Sequence, residues 1–244
     1  MKKKKMKLWK KVLIILLILL LIFIISITRK AIILANLDKK VTDYENNNNN
    51  IYVKTTLDFS NYKAEMERFI KDDVDKLVSE RTDIDGRKIK IMQITYPNER
   101  KIYTEVDNNK VLNIFEEPAG VRGSHIENNG SYSYTAIMNF AYSTNLYERI
   151  YNSLVTKIKS IEMDGKECYE LSSLYSTNLI YGGNTTNLLV YVEKDTGLPV
   201  KMIEEVNENN EIVKNITTYE YSFGTVTDED IKEPDNTQYK IAEY

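Results

Sequence analysis

The chain has 244 residues, 42% hydrophobic and 28% charged, with a net charge of −3, which leaves room for one ordinary domain plus an attachment and excludes a disordered tail or a polytopic membrane protein. One His, His125, and one Cys, Cys168, exclude metal sites built on clustered His or Cys and any intramolecular disulfide. The charge is uneven: residues 1–30 hold nine Lys or Arg and no acid, and the rest carries 24 positive against 36 negative residues, an acidic body unsuited to nucleic acid.

Seven Lys in residues 1–11 form a basic tail, after which Val12 to Ile27 runs with Ser26 as its only polar member. At ~1.5 Å per residue that run spans ~24 Å, short of a ~30 Å hydrocarbon core, so Thr28 and the snorkelling Arg29 and Lys30 complete a transmembrane anchor over 12–28. A cleaved signal fits poorly. Ser26-Ile27-Thr28 is a weak cleavage match, Ala35 has Ile33 two positions before it and lies beyond two cations, and a lipoprotein signal needs a Cys just after the apolar run. Lysines before the span keep the N-terminus cytoplasmic and place the main domain outside the cell membrane, a single-pass arrangement.

Residues 29–50 read as a juxtamembrane tether in which Ala31 to Glu45 can extend as a short helix before the run Asn46 to Asn50, and residues 51–244 read as the extracytoplasmic domain. Period-two alternation dominates that domain, over Ile51–Phe59, Lys88–Tyr96, Lys101–Val106, Val111–Phe115, Ser131–Tyr142, Glu167–Tyr175, Asn187–Glu193, Val200–Val206 and Ile212–Phe223. Between them lie Asp85-Gly86, Asp107-Asn108-Asn109, Asp164-Gly165, Asp195-Thr196-Gly197 and Asn207 to Asn210, the turn chemistry of an antiparallel meander. Tyr62 to Glu80 suits either a helical stripe or a hairpin turning at Lys71-Asp72-Asp73; the hairpin is favoured narrowly. Leu146 to Ile158 predicts a helix, with Asn145 as N-cap, Glu148 three residues on, and Leu146, Ile150, Leu154, Val155 and Ile158 on one face.

From Leu189 the order Leu189-Val190-Tyr191-Val192-Glu193-Lys194-Asp195-Thr196-Gly197-Leu198-Pro199-Val200-Lys201, then Thr218-Tyr219-Glu220-Tyr221, then Val226 to Ile231 and Pro234, resembles the lipoprotein-carrier (LolA-like) superfamily. That superfamily contains the periplasmic lipoprotein carrier, a sigma-factor regulator and mycobacterial lipid-binding lipoproteins. The resemblance is specific over Asn187 to Pro234. It implies an α+β, sheet-dominated fold: a curved antiparallel half-barrel with a covering helix, here preceded by one transmembrane helix, whose apolar interior accepts acyl chains. It implies no catalytic residue.

The face Tyr132, Tyr134, Ala136, Met138, Phe140 and Tyr142 can line an acyl-chain cavity or form ordinary core. Tyr132, Tyr134, Met138, Phe140 and Tyr142, with Ile150 and Leu154 of the helix, are the candidate ligand-lining residues. Asp72, Asp73, Asp75 and Glu80 lack the regular oxygens and the glycine of a calcium loop and read as a solvated turn. Ser124 beside His125 sits on no strand-to-helix elbow, so no nucleophile is assigned. Cys168, in a strand, reads as a packed thiol.

These features read as a membrane-anchored extracytoplasmic protein that sequesters a lipid, lipidated peptide or other apolar ligand, without catalysis, metal or cofactor. The alternative is a structural or regulatory cell-envelope protein, such as a secretion-system assembly factor, with a self-filled core and a protein partner. The anchor reading predicts that intact mass from membranes begins at the N-terminal tail and that protease added to intact cells removes the acidic domain. A chain beginning near Asn36, or a protected domain, contradicts it.

Overall fold

The computed structural model describes residues 8–59, 63–82, 85–107, 109–116, 146–173, 185–208 and 211–242. It opens with α1 (Leu8–Asn47), a single helix of 40 residues. Six strands follow: β1 (Asn50–Asp58), β2 (Lys63–Lys71), β3 (Val74–Thr82), β4 (Lys88–Thr95), β5 (Glu99–Val106) and β6 (Asn109–Glu116). After α2 (Leu146–Val155) come β7 (Lys157–Met163), β8 (Lys166–Ser173), β9 (Thr185–Glu193), β10 (Pro199–Glu208), β11 (Glu211–Phe223) and the short β12 (Lys240–Ile241).

All twelve strands form one open, curved sheet in the order β12-β6-β5-β4-β3-β2-β1-β11-β10-β9-β8-β7. Every pairing is antiparallel except that of β12 with β6. Two meanders, β1–β6 and β7–β11, are joined where β1 pairs with β11, from Ile51 opposite Phe223 to Asp58 opposite Ile216. The fold is thus the sheet-dominated α+β half-barrel that the alternation and the resemblance imply.

The segment Tyr62 to Glu80 resolves, from Lys63 on, as the β2–β3 hairpin, turning at Asp72 (φ 51°), where Arg68 pairs bidentately with Asp75 at 3.0 and 2.6 Å. The predicted helix ends at Val155. Ile158 belongs to β7 and faces Leu171, because the alternating Lys157–Met163 satisfies its backbone on β8 and exposes Lys157, Lys159 and Glu162. Ser131 to Tyr142 and the N-cap Asn145 lie outside the described residues.

The stretch expected as a tether is helical to Asn47, with β1 beginning at Asn50. The apolar side chains of its first part, Val12 to Ile25, are about half exposed, whereas Leu34, Leu37 and Val41 are buried against the sheet. They join Ile51 and Val53 of β1, Leu171 of β8, Leu188, Val190 and Val192 of β9, Leu198, Met202 of β10 and Tyr219 of β11 in the main core. The helix that covers the sheet at this core is therefore the continuation of the apolar N-terminal helix. The spacing 34, 37, 41 is the i, i+3, i+7 stripe of a helix docked on one side.

The β9–β10 turn receives α1. Gly197 has φ +78°, and a Cβ placed there would stand 2.8 Å from the Leu37 carbonyl oxygen and 3.0 Å from Lys40 Cβ. Lys40 Nζ donates to the Lys194 carbonyl, Thr196 Oγ1 donates to Glu193 at 2.8 Å, and Leu198 and Pro199 are buried. Gly86 has φ +82° with nothing within 4 Å of a Cβ. Alanine at Gly86 should thus cost only about 1 kcal/mol for the left-handed backbone, and at Gly197 roughly 1–3 kcal/mol more, because backbone must move. Chemical denaturation of the two variants checks this; equal losses would mean that α1 does not press on the turn.

Candidate functional site

Strand pairing propagates side-chain direction across the whole sheet. The α1 side carries Ile51, Val53, Thr55 and Leu57 of β1, then Ala64, Met66, Arg68 and Ile70 of β2, and on to Ile89 and Ile91 of β4, Ile102 of β5 and Val111 and Phe115 of β6. The core under α1 draws on β1, β8–β11 and Ile70; Leu77, Ile89, Ile91, Ile102, Val111 and Phe115 on the same face lie outside it. Interleaved with them are the Arg68–Asp75 pair, Gln93, Thr95, and Arg100, whose guanidinium lies 5.0 Å from the Phe115 ring. Further along this face Thr217 Oγ1 and Asn215 Oδ1 are buried without a hydrogen-bond partner among the described residues. This face of β3–β6 is thus mixed, its seven apolar residues alternating with nine polar ones that include Ser79, Arg81, Thr104, Asn109 and Asn113, and Thr217 and Asn215 lie on β11, across β2 and β1 from it.

Of the sequence-predicted lining residues, Tyr132, Tyr134, Met138, Phe140 and Tyr142 lie outside the described residues. Ile150 and Leu154 lie on α2, which packs on α1, and both are exposed. Residues not anticipated from sequence are the stripe Leu34, Leu37 and Val41, signalled by its spacing, and the apolar residues on this face of β3–β6, visible only once the strand order is known.

The opposite face of β3–β6 is closed by the chain after β11. Ile94, Tyr103, Leu112 and Tyr239 form a second core, with Val74, Met92 and Tyr96 against it. Glu233 is its polar centre: it accepts from Tyr96 Oη at 2.8 Å, Lys101 Nζ at 2.7 Å, Tyr103 Oη at 2.8 Å and Asn236 Nδ2 at 3.3 Å. Buried Lys76 donates to the carbonyls of Asp230 and Lys232 at 2.8 and 2.9 Å, and its burial pushes its pKa down. These bonds fasten the C-terminal segment to the sheet. Cys168 is fully buried on this face, opposite Glu193 and Ile161; burial, then the Glu193 charge, raises its thiol pKa, so it is not poised as a nucleophile.

The fold is an open, curved antiparallel half-barrel with a helix docked on one face. No family model and no curated protein matches the chain. Among solved structures it is similar to an uncharacterized conserved protein from Thermus thermophilus, at 8% identity and TM-score 0.44, over 84% of this chain and 97% of that one. It is also similar to MucB in complex with MucA(peri), at 9% identity and TM-score 0.36, over 86% of this chain and 62% of that one. A third is a LolA superfamily protein from Nitrosomonas europaea, at 10% identity and TM-score 0.29, over 81% and 96% of the two chains.

Burial alone would raise the Glu233 pKa, but the hydrogen bonds from Lys101, Tyr96, Tyr103 and Asn236 outweigh it and hold the carboxyl at about 2, below its usual 4.5. A folded-state pKa below the unfolded one contributes stability that is present above the unfolded value and is lost as pH falls from about 4.5 to about 2. Glu233→Gln should be less stable at pH 7 and lose less on acidification through that window. Urea midpoints of both proteins from pH 7 to pH 2 test this; parallel profiles would show that Glu233 is not the latch.

Proposed function

We propose that the chain is a single-pass, N-in cell-envelope protein whose extracytoplasmic half-barrel holds a lipid or other apolar ligand, without catalysis. The supporting observation is the set of apolar residues on β3–β6, Leu77, Ile89, Ile91, Ile102, Val111 and Phe115, on the α1 side yet outside the core that α1 fills, with Thr217 Oγ1 and Asn215 Oδ1 on β11 of the same face lacking a hydrogen-bond partner among the described residues. In this reading Tyr132, Tyr134, Met138, Phe140 and Tyr142 complete the lining, being the one alternating segment between β6 and α2. Burying an acyl chain there at ~25 cal/mol per Å2 gives several kcal/mol, enough for reversible binding. Anchoring is supported by Trp9–Val41, a helix long and apolar enough to cross a membrane, preceded by the basic tail.

A second reading has its own observation. Leu34, Leu37 and Val41 already occupy the face over β1 and β8–β11, which favours a self-filled envelope protein that works through a protein partner.

The two separate in one experiment on a version beginning at Lys30, which keeps the docking half of α1. Ligand binding predicts a lipid-sized adduct in native mass spectrometry and saturable uptake of a fluorescent fatty acid, reduced several-fold by Ile91→Trp with little change in melting temperature. No adduct, no uptake and a destabilised Ile91→Trp, as overpacking of a filled core requires, would leave the structural reading.

A further inference from the structure

The path of α1 over the sheet is fixed at two points. Leu37 to Val41 sit on the β9–β10 turn, and the helix ends at Asn47, just before β1 begins at Asn50. From that turn to β1 there are about two strand spacings of ~4.8 Å, and Val41 to Asn47 advances ~9 Å, so the helix runs largely across the strands. Followed back toward its N-terminus, it advances ~12 Å from Leu37 to Arg29, enough to pass β8 and reach β7, the edge of the sheet. Ile33 of α1, Tyr169 of β8 and Ile158 of β7 all pack on the same core, as this path requires. Arg29 and Lys30, where the apolar run ends, therefore lie by the β7 edge.

Helix α2 leads into β7 after one residue and packs on α1. Among the described side chains of this helix Ser153 is buried, as is Thr156 just beyond it, whereas Ile150, Tyr151 and Leu154 are 47%, 48% and 42% exposed. These three share one helical face, at i, i+1 and i+4, and the exposed Lys157 and Lys159 follow at once. Apolar side chains turned outward on a helix that abuts a membrane anchor, next to lysines, are placed as in helices that lie in the bilayer interface.

Resting on the anchoring in the proposed function, we infer that the α2–β7 edge of the domain lies on the outer leaflet, with Ile150, Tyr151 and Leu154 among the lipid headgroups and Lys157 and Lys159 facing anionic ones. The half-barrel then stands with its β7 edge down. The C-terminal segment that closes the β6 edge points away from the membrane.

The full chain in vesicles of phosphatidylethanolamine and phosphatidylglycerol tests this. Single-cysteine variants Ile150→Cys, Leu154→Cys and Thr237→Cys, the last on the exposed C-terminal segment, are labelled with an environment-sensitive fluorophore; Cys168 is buried. Headgroup spin-labelled lipid should quench the probes at 150 and 154 at least twofold more than the probe at 237, with blue-shifted emission. Chain that floats with the vesicles while all three probes respond alike overturns the orientation and leaves the anchor standing. Chain that does not float overturns the anchoring and the orientation with it. Shielding at 150 that grows with protein density, without lipid quenching, assigns the patch to a second copy and also overturns the proposal. Circular dichroism of each variant confirms the fold, and two labelled positions guard against one that fails to fold.

Discussion

The close approach of α1 to the β9–β10 turn governs how the rest of the molecule is arranged. Only a residue without a Cβ lets the Leu37 carbonyl come so near, and only a left-handed backbone closes that turn, so Gly197 meets two demands at once. Lys40 ties down the Lys194 carbonyl beside it, and Leu198 and Pro199 go into the core on the other side. The three buried side chains of α1, at ~1.5–3 kcal/mol each as an upper estimate, bring a stabilisation comparable to the whole net stability of an ordinary domain. A helix that begins as an apolar rod is thus also a plug of the sheet.

Two covers on opposite faces follow from the length of the sheet. Twelve strands cannot be closed by one helix, so α1 serves β1 and β8–β11 while the C-terminal segment serves β3–β6 from the other side, latched by Glu233 and Lys76. The C-terminal segment also pairs β12 with β6, which blunts one edge of the sheet. At the opposite edge β7 carries outward Lys157 and Lys159, the usual guard against adventitious strand pairing.

Strands were legible where alternation and turn residues agreed. The segments read at Ile51, Lys88, Lys101, Val111, Asn187, Val200 and Ile212 lie in strands to within a residue, as does Glu167 to Ser173, Leu174 and Tyr175 being outside the described residues, because a half-buried sheet imposes period two directly on the sequence. The boundary of α2 was misplaced because Val155 and Ile158 satisfy helical spacing while Lys157–Met163 also satisfies period two, and only pairing with β8 decides between them. The docking stripe of α1 was hidden by its neighbours. Asn36, Asp38, Lys39 and Lys40 make the stretch look solvated, and the buried positions emerge only at the 3.6 period. The Glu233 latch had no local signal, since its partners Tyr96, Lys101 and Tyr103 are more than a hundred residues away.

A helix that is continuous from the apolar run into the core leaves, under the proposed anchoring, little linker between membrane and domain. At ~1.5 Å per residue, Lys30 to Leu34 is only ~6 Å, so a domain docked through Leu34, Leu37 and Val41 cannot swing or travel as one on an asparagine tether could. Under that anchoring, release from the membrane would require undocking α1 and exposing Leu34, Leu37 and Val41. Under the proposed anchoring and ligand binding, a ligand of the half-barrel comes to it from the bilayer beside it or from a partner within reach of one membrane surface. The latched C-terminal side and the face beside α1 lie on opposite faces of one sheet, so the two approaches need not compete.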